Sequence, residues 1–116
     1  MGELPPQVQN MVAQMQQVQQ QLQAVIAQRM QVEAMLKETE EALEEVKKAP
    51  DDAPVFKVAG SILVRTSKEE VIKELEEKKE TYEVRINTLK RQEERLKDRL
   101  AEIQKKLQSM LSPQAG

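Results

Sequence analysis

An all-α chain carrying one small β-hairpin is the fold the sequence predicts: a long antiparallel coiled-coil helical hairpin with the strands between its helices. Three observations point there. Apolar residues recur at alternating steps of three and four along two stretches of equal length. Neither stretch contains an internal Gly or Pro. A short segment rich in β-branched residues separates them. The 116 residues fit one domain, 1–116. With one Phe and one Tyr, the composition suits long helices better than a packed globule.

The first helix is expected over about residues 6–48. Its seam runs Val8, Met11, Met15, Val18, Leu22, Val25, Arg29, Val32, Leu36, Thr39, Leu43 and Val46, ten of twelve apolar. Pro5 and Pro6 suit its start. Lys47 and Lys48 place cations at its negative end, and Pro50 closes it. Nothing ionises from Leu4 to Gln28, although 33% of the whole chain is charged. That asymmetry asks for a functional reason.

The strands are expected within about 54–66, "APVFKVAGSILVRTS", with Ala59-Gly60-Ser61 as the turn. Alternation is poor: Phe56 and Val58 share a face, Val55 lies on the other, and Ile62-Leu63-Val64 is apolar on both. Strands buried on two sides read this way, while an isolated two-stranded hairpin is marginal in water and its edges invite pairing. The hairpin could fold back on its own helices. Pairing with other chains is the favoured expectation, with Val55, Phe56, Val58, Gly60, Ile62, Leu63 and Val64 as the oligomerisation residues.

The second helix is expected over about 67–111, with a frayed tail at 112–116. Ser67 and Glu70 form a capping box and Pro113 ends the helix. Its seam is Ile72, Leu75, Lys79, Tyr82, Ile86, Leu89, Glu93, Leu96, Leu100, Ile103, Leu107 and Met110. At 1.5 Å per residue each helix spans roughly 55–65 Å. In an antiparallel pair, opposed residue numbers have a constant sum. A sum of 118 sets Val46 against Ile72, Leu22 against Leu96 and Val8 against Met110. It puts Thr39 opposite Lys79, and Arg29 and Glu93 in adjacent layers. Such polar layers fix register at some cost in stability; a register shifted by one heptad is the alternative.

No enzyme chemistry, cofactor or metal is expected: there is no His, no Cys and no Gly-rich phosphate loop. Glu38, Glu40 and Glu41 could meet a hard cation but read as a solvated helix face. Bases in the second half are interleaved with acids and net charge is −2, so neither nucleic acid nor an anionic membrane is an expected partner. No apolar run approaches a membrane span. The start lacks the Ser or Thr expected at position 6 for myristoylation. Without a disulfide framework, the chain reads as cytoplasmic.

With "PPQVQN", "PDDAPVFKVAGSILVR" and "RINTLKRQEERLKDRL", the chain resembles the β-type subunits of archaeal prefoldin over nearly its whole length. The hairpin segment between equal helices is the specific part, and Phe56 stands where the family often has Tyr. The resemblance implies a hetero-hexamer of two α-type and four β-type subunits whose hairpins assemble into an intersubunit β-barrel. It implies ATP-independent capture of unfolded polypeptides at coiled-coil tips, and delivery to a group II chaperonin. In the family the C-terminal end of β subunits also contributes to chaperonin docking. The α-type partners carry two hairpins; this chain has room for one.

On that implication the uncharged tract has a use. Unfolded clients offer apolar patches of no fixed shape. Charges at the grip would select by sign and resist desolvation, whereas Gln keeps the surface wet and Met adapts. The expected unfolded-protein-binding residues are Leu4, Val8, Met11, Val12, Met15, Leu107, Met110 and Leu111. The bland alternative makes the methionines seam filler. A rival function is a structural tether or adaptor whose ends bind one folded partner.

Overall fold

The computed structural model of the chain describes residues 2–112. In order these form α1 (Pro6–Lys48), β1 (Val55–Ala59), β2 (Ile62–Thr66) and α2 (Lys68–Leu111). Two long helices with one antiparallel β-hairpin between them is the architecture that the heptads predict. Pro113, expected to end α2, lies outside the described residues, as does the tail beyond Ser112. The chain divides into two compact units. One holds the residues up to Arg29 and those from Thr88 onward; the other is Met30–Asn87 and contains the hairpin.

Within both units the core is the seam. Eight described residues are buried: Val8, Val18, Val32, Thr39, Leu43, Ile86, Leu89 and Ile103. All eight lie on the three-four walks. Every other seam position except Met110 is half-buried. Writing Val8 and Ile72 as heptad position a, each helix flanks its a/d stripe with an e row and a g row. On α1 the two rows differ. Val12, Gln19, Ile26 and Glu33, at e, are half-buried, while Gln7, Gln14, Gln21 and Gln28, at g, are exposed.

The four polar seam residues are all satisfied. Thr39 donates its hydroxyl to the Met35 carbonyl one turn back at 2.9 Å, a local bond that lets a Thr sit in a buried layer. Lys79, opposite it, reaches out to Glu40 at 4.0 Å by the snorkelling open to a long stem. Arg29 donates to Glu93 at 2.7 Å, joining adjacent layers across the helices. Lys97 meets the same carboxylate at 3.0 Å. Leu96 shares a hollow with Gln21 and Val25, the neighbours of Leu22, which is where the sum of 118 puts it.

The turn region is tied from α2. Lys68, whose side chain is 17% exposed, donates from Nζ to the Ala49 carbonyl at 2.7 Å and pairs with Asp51 at 3.0 Å. One cation thus satisfies a carbonyl left over at the end of α1 and holds the chain that follows it. Ser67 caps α2, its hydroxyl oxygen accepting from the Glu70 N–H at 3.1 Å. The Glu70 carboxylate accepts instead from the Thr66 hydroxyl at 3.0 Å, so β2 and α2 are joined through the cap.

The hairpin closes on a two-residue loop, Gly60-Ser61, between the Ala59–Ile62 pair. Gly60 has φ of 63°, and no other described residue has a positive φ. A positive φ at the first loop position alone is the type II′ pattern, whose twist suits a hairpin. A Cβ on Gly60 would meet nothing within 4 Å. Gly60→Ala should therefore cost only the backbone term, about 1–3 kcal/mol. Hydrogen-exchange protection of the hairpin amides checks this; equal protection in the Ala variant would contradict it.

A second expected outcome concerns acid. The hydrogen bond from Arg29, then that from Lys97, holds the Glu93 carboxyl below its ordinary value of 4.5 against the opposing pull of desolvation. A lowered native pKa contributes stability that is complete above 4.5 and is lost as pH falls through the native value. Glu93→Gln should therefore unfold at lower urea than the parent at pH 7, and the gap should narrow below pH 4.5. A gap that is constant with pH would rule the pair out as its source.

Candidate functional site

Two surfaces carry the residues singled out in the sequence, and each belongs to one unit. In the hairpin unit the pairing Phe56–Arg65 and Val58–Leu63 puts those four residues on one face; Val55, Lys57, Ala59, Ile62, Val64 and Thr66 share the other. The second face turns toward α2, since Lys57 pairs with Glu74 at 3.1 Å. Val55, Val64 and Thr66 on it are half-buried. The first face is open: Val58 is 75% exposed, Leu63 69% and Phe56 55%. Ile62, beside the turn, is also exposed. The expectation of strands apolar on both sides thus resolves into one face partly covered by the chain itself and one with nothing on it. This cluster leaves apolar carbon and free strand edges open together, the combination that marks interaction surfaces in general.

The terminal unit holds the expected grip. Val8 is buried in the seam, and Met11, Val12, Met15 and Leu107 are half-buried. Leu4, Met110 and Leu111 are exposed. Leu4 is held in place by Gln9, whose side-chain amide donates to the Leu4 carbonyl at 2.7 Å. Val12 and Leu111 occupy e positions, so they border the seam on the flank that α1 closes more fully.

The g flank is open. A groove of about 610 Å³ is lined there by Gln7, Asn10, Met11 and Gln14 from α1, and by Arg99, Glu102, Ile103, Lys106, Ser109 and Met110 from α2. A second hollow, of about 420 Å³, lies on the same flank between Gln21, Ala24 and Val25 on one side and Gln92, Arg95 and Leu96 on the other. Exposed Gln on α1 leaves these spaces unfilled, where larger apolar residues at g would close them. The groove joins Met11 to Met110 and brings Arg99 and Lys106 to the same rim. Sequence reasoning misses these two cations because along the string the bases of α2 are interleaved with acids and read as solvated faces. Heptad lettering of α2 finds them, since both stand at g.

Exposed apolar side chains outside the expected sites are Met30, Met35 and Val84, all in the hairpin unit. Among the described residues no group of three or more His, Cys, Asp or Glu is placed to hold a metal ion. No helix is long and apolar enough to cross a membrane. What the terminal unit offers is contact: thioether and aliphatic carbon for apolar groups, glutamine for water, and two cations at the edge.

The sequence profile of the Prefoldin subunit family matches residues 9–114. A prefoldin subunit beta from Archaeoglobus fulgidus is 70% identical over 116 residues, the full length of both chains. The crystal structure of the prefoldin beta subunit from Thermococcus strain KS-1 superposes with a TM-score of 0.91 at 46% identity, covering 97% of this chain and 99% of that one. The prefoldin beta2 subunit of the same strain, at 23% identity over 78% of this chain and 97% of its own, shares the fold with a TM-score of 0.70. With heptads, hairpin and profile in agreement over almost every residue, the chain belongs to the prefoldin subunit family, whose members build multi-subunit assemblies of the chaperone type.

Proposed function

We propose that the chain is the β-type subunit of a cytoplasmic, ATP-independent chaperone, a hetero-hexamer of two α-type and four β-type subunits. It captures unfolded polypeptides with the terminal unit and passes them to a group II chaperonin, with no catalytic step of its own. The observation that carries this reading is the apolar surface left open at the ends of α1 and α2: Leu4, Met110 and Leu111 exposed, with Met11 lining the groove. A coiled coil that served only as a spacer would have no use for it. Val8, buried in the seam, supports the grip from beneath; the contacts fall to its neighbours.

Each contact is weak, about 1 kcal/mol for a side chain partly covered by client. Useful capture then needs several subunits on one polypeptide, so that later contacts form at high effective concentration. The hairpin supplies that multiplicity by joining subunits into a β-barrel through its open face. Weak contacts also allow release to the chaperonin.

Replacing Val58 and Leu63 by Lys tests the assembly. Both side chains point away from the chain's own helices, so the helical circular dichroism should survive while native mass spectrometry, with the α-type subunit present, finds no hexamer. A hexamer that persisted would remove the barrel from the account. For the grip, Val12, Met110 and Leu111 changed together to Ser should weaken suppression of aggregation of a denatured test protein several-fold, assayed without chaperonin, while hexamer mass is kept. Full protection by that variant would move the grip elsewhere. Protection absent from the parent as well, with one folded ligand bound tightly, would mark a tether.

A further inference from the structure

Resting on the client-capture reading above, a finer property follows from the open g flank. We propose that the groove between Met11 and Met110 selects unfolded segments whose apolar residues are flanked by carboxylates. The α1 wall of the groove is neutral: Gln7 and Gln14 stand where a coiled coil ordinarily sets a charge to answer its partner. The α2 wall carries Arg99 and Lys106 against the single acid Glu102. Among the described residues neither cation makes an ion pair, and nor does Arg95 at the neighbouring hollow. The groove therefore holds one unanswered positive charge beside its apolar floor. Its surroundings have the same sign: this unit has eight basic residues against five acidic, whereas the hairpin unit has ten against fifteen.

A neutral wall opposite a cationic one has two consequences. No acid of α1 neutralises Arg99 or Lys106 in the free protein, so both remain available to a ligand. A basic segment laid in the groove would set like charges together as its apolar residues dock. The apolar floor supplies attraction common to all clients, and the cations rank them. Sign neutrality, expected from α1 alone, holds for one wall only.

The test uses the assembled protein and three labelled peptides with one Leu-Phe-Leu centre, flanked by Asp, by Gln or by Lys. In fluorescence anisotropy at low salt the Asp peptide should bind about two- to fivefold tighter than the Gln peptide for each charge pair engaged, and the Lys peptide should bind more weakly than either. The spread should shrink at 500 mM salt. In Arg99→Gln/Lys106→Gln, with hexamer mass and helicity verified, the ratio between Asp and Lys peptides should fall toward one. Lys105→Gln removes a charge of the same sign outside the groove and should keep most of the ratio.

Equal affinities in the parent would overturn the inference while leaving client capture standing. So would a ratio unchanged in the double variant, or one lost as fully in Lys105→Gln. Failure of all three peptides to bind would bring down the capture reading and this one with it.

Discussion

Two helices packed on each other can bury only the stripe that each turns to its partner, and that limit governs everything else in the chain. The core is one side chain deep, and even its best-covered members, such as Val8 and Val32, keep a few per cent of their surface. No third layer exists to hide a polar seam residue. The four that occur must therefore be answered locally, and they are: Thr39 by its own helix, Lys79 and Arg29 by acids within reach, Glu93 by two cations. With nearly all side chains at the surface, function has only open grooves and faces to occupy. It must be written on flanks, ends and strands, and the apolar residues that the seam does not claim are its script.

Much of this was legible in the sequence because the determinants are local or periodic. The heptads gave the seam, and the polar exceptions gave its register, since Arg29 and Glu93 meet as adjacent layers should. Ser67 announced the start of α2, and Gly60 the turn. What could not be read came from relations between elements. Poor alternation in the strands told that both faces are apolar, yet not that Val55 and Val64 would find partial cover while Val58 and Leu63 find none. That depends on how the hairpin is inclined to α2, which Lys57 and Glu74 help decide. The groove was hidden for a similar reason. Bases and acids alternate along α2, so the string reads as balanced, but winding the string into a helix sorts Arg99 and Lys106 onto one flank.

The division of labour between the units follows from this sorting. The hairpin unit is acidic, with its apolar surface concentrated on the strands; the terminal unit is basic, with its apolar surface at helix ends and along one flank. On the proposed reading, multiplicity and contact thus rest on different stretches of chain.

The Lys68 clamp also bears on how such a chain comes together. Twenty-five residues separate Val46 from Ile72, while about a hundred separate Val8 from Met110. Closing the larger loop first costs about 1 kcal/mol more in chain entropy. By fastening Ala49 and Asp51 to the first residue of α2, the clamp favours the short closure. Each further layer is then a small step, and pairing propagates as in a zipper toward the termini. Reversed, the same order makes the termini the first part to open. The residues proposed to meet a client are those at which the subunit itself most readily comes undone, so on that proposal capture takes place on the edge of the protein's own unfolding.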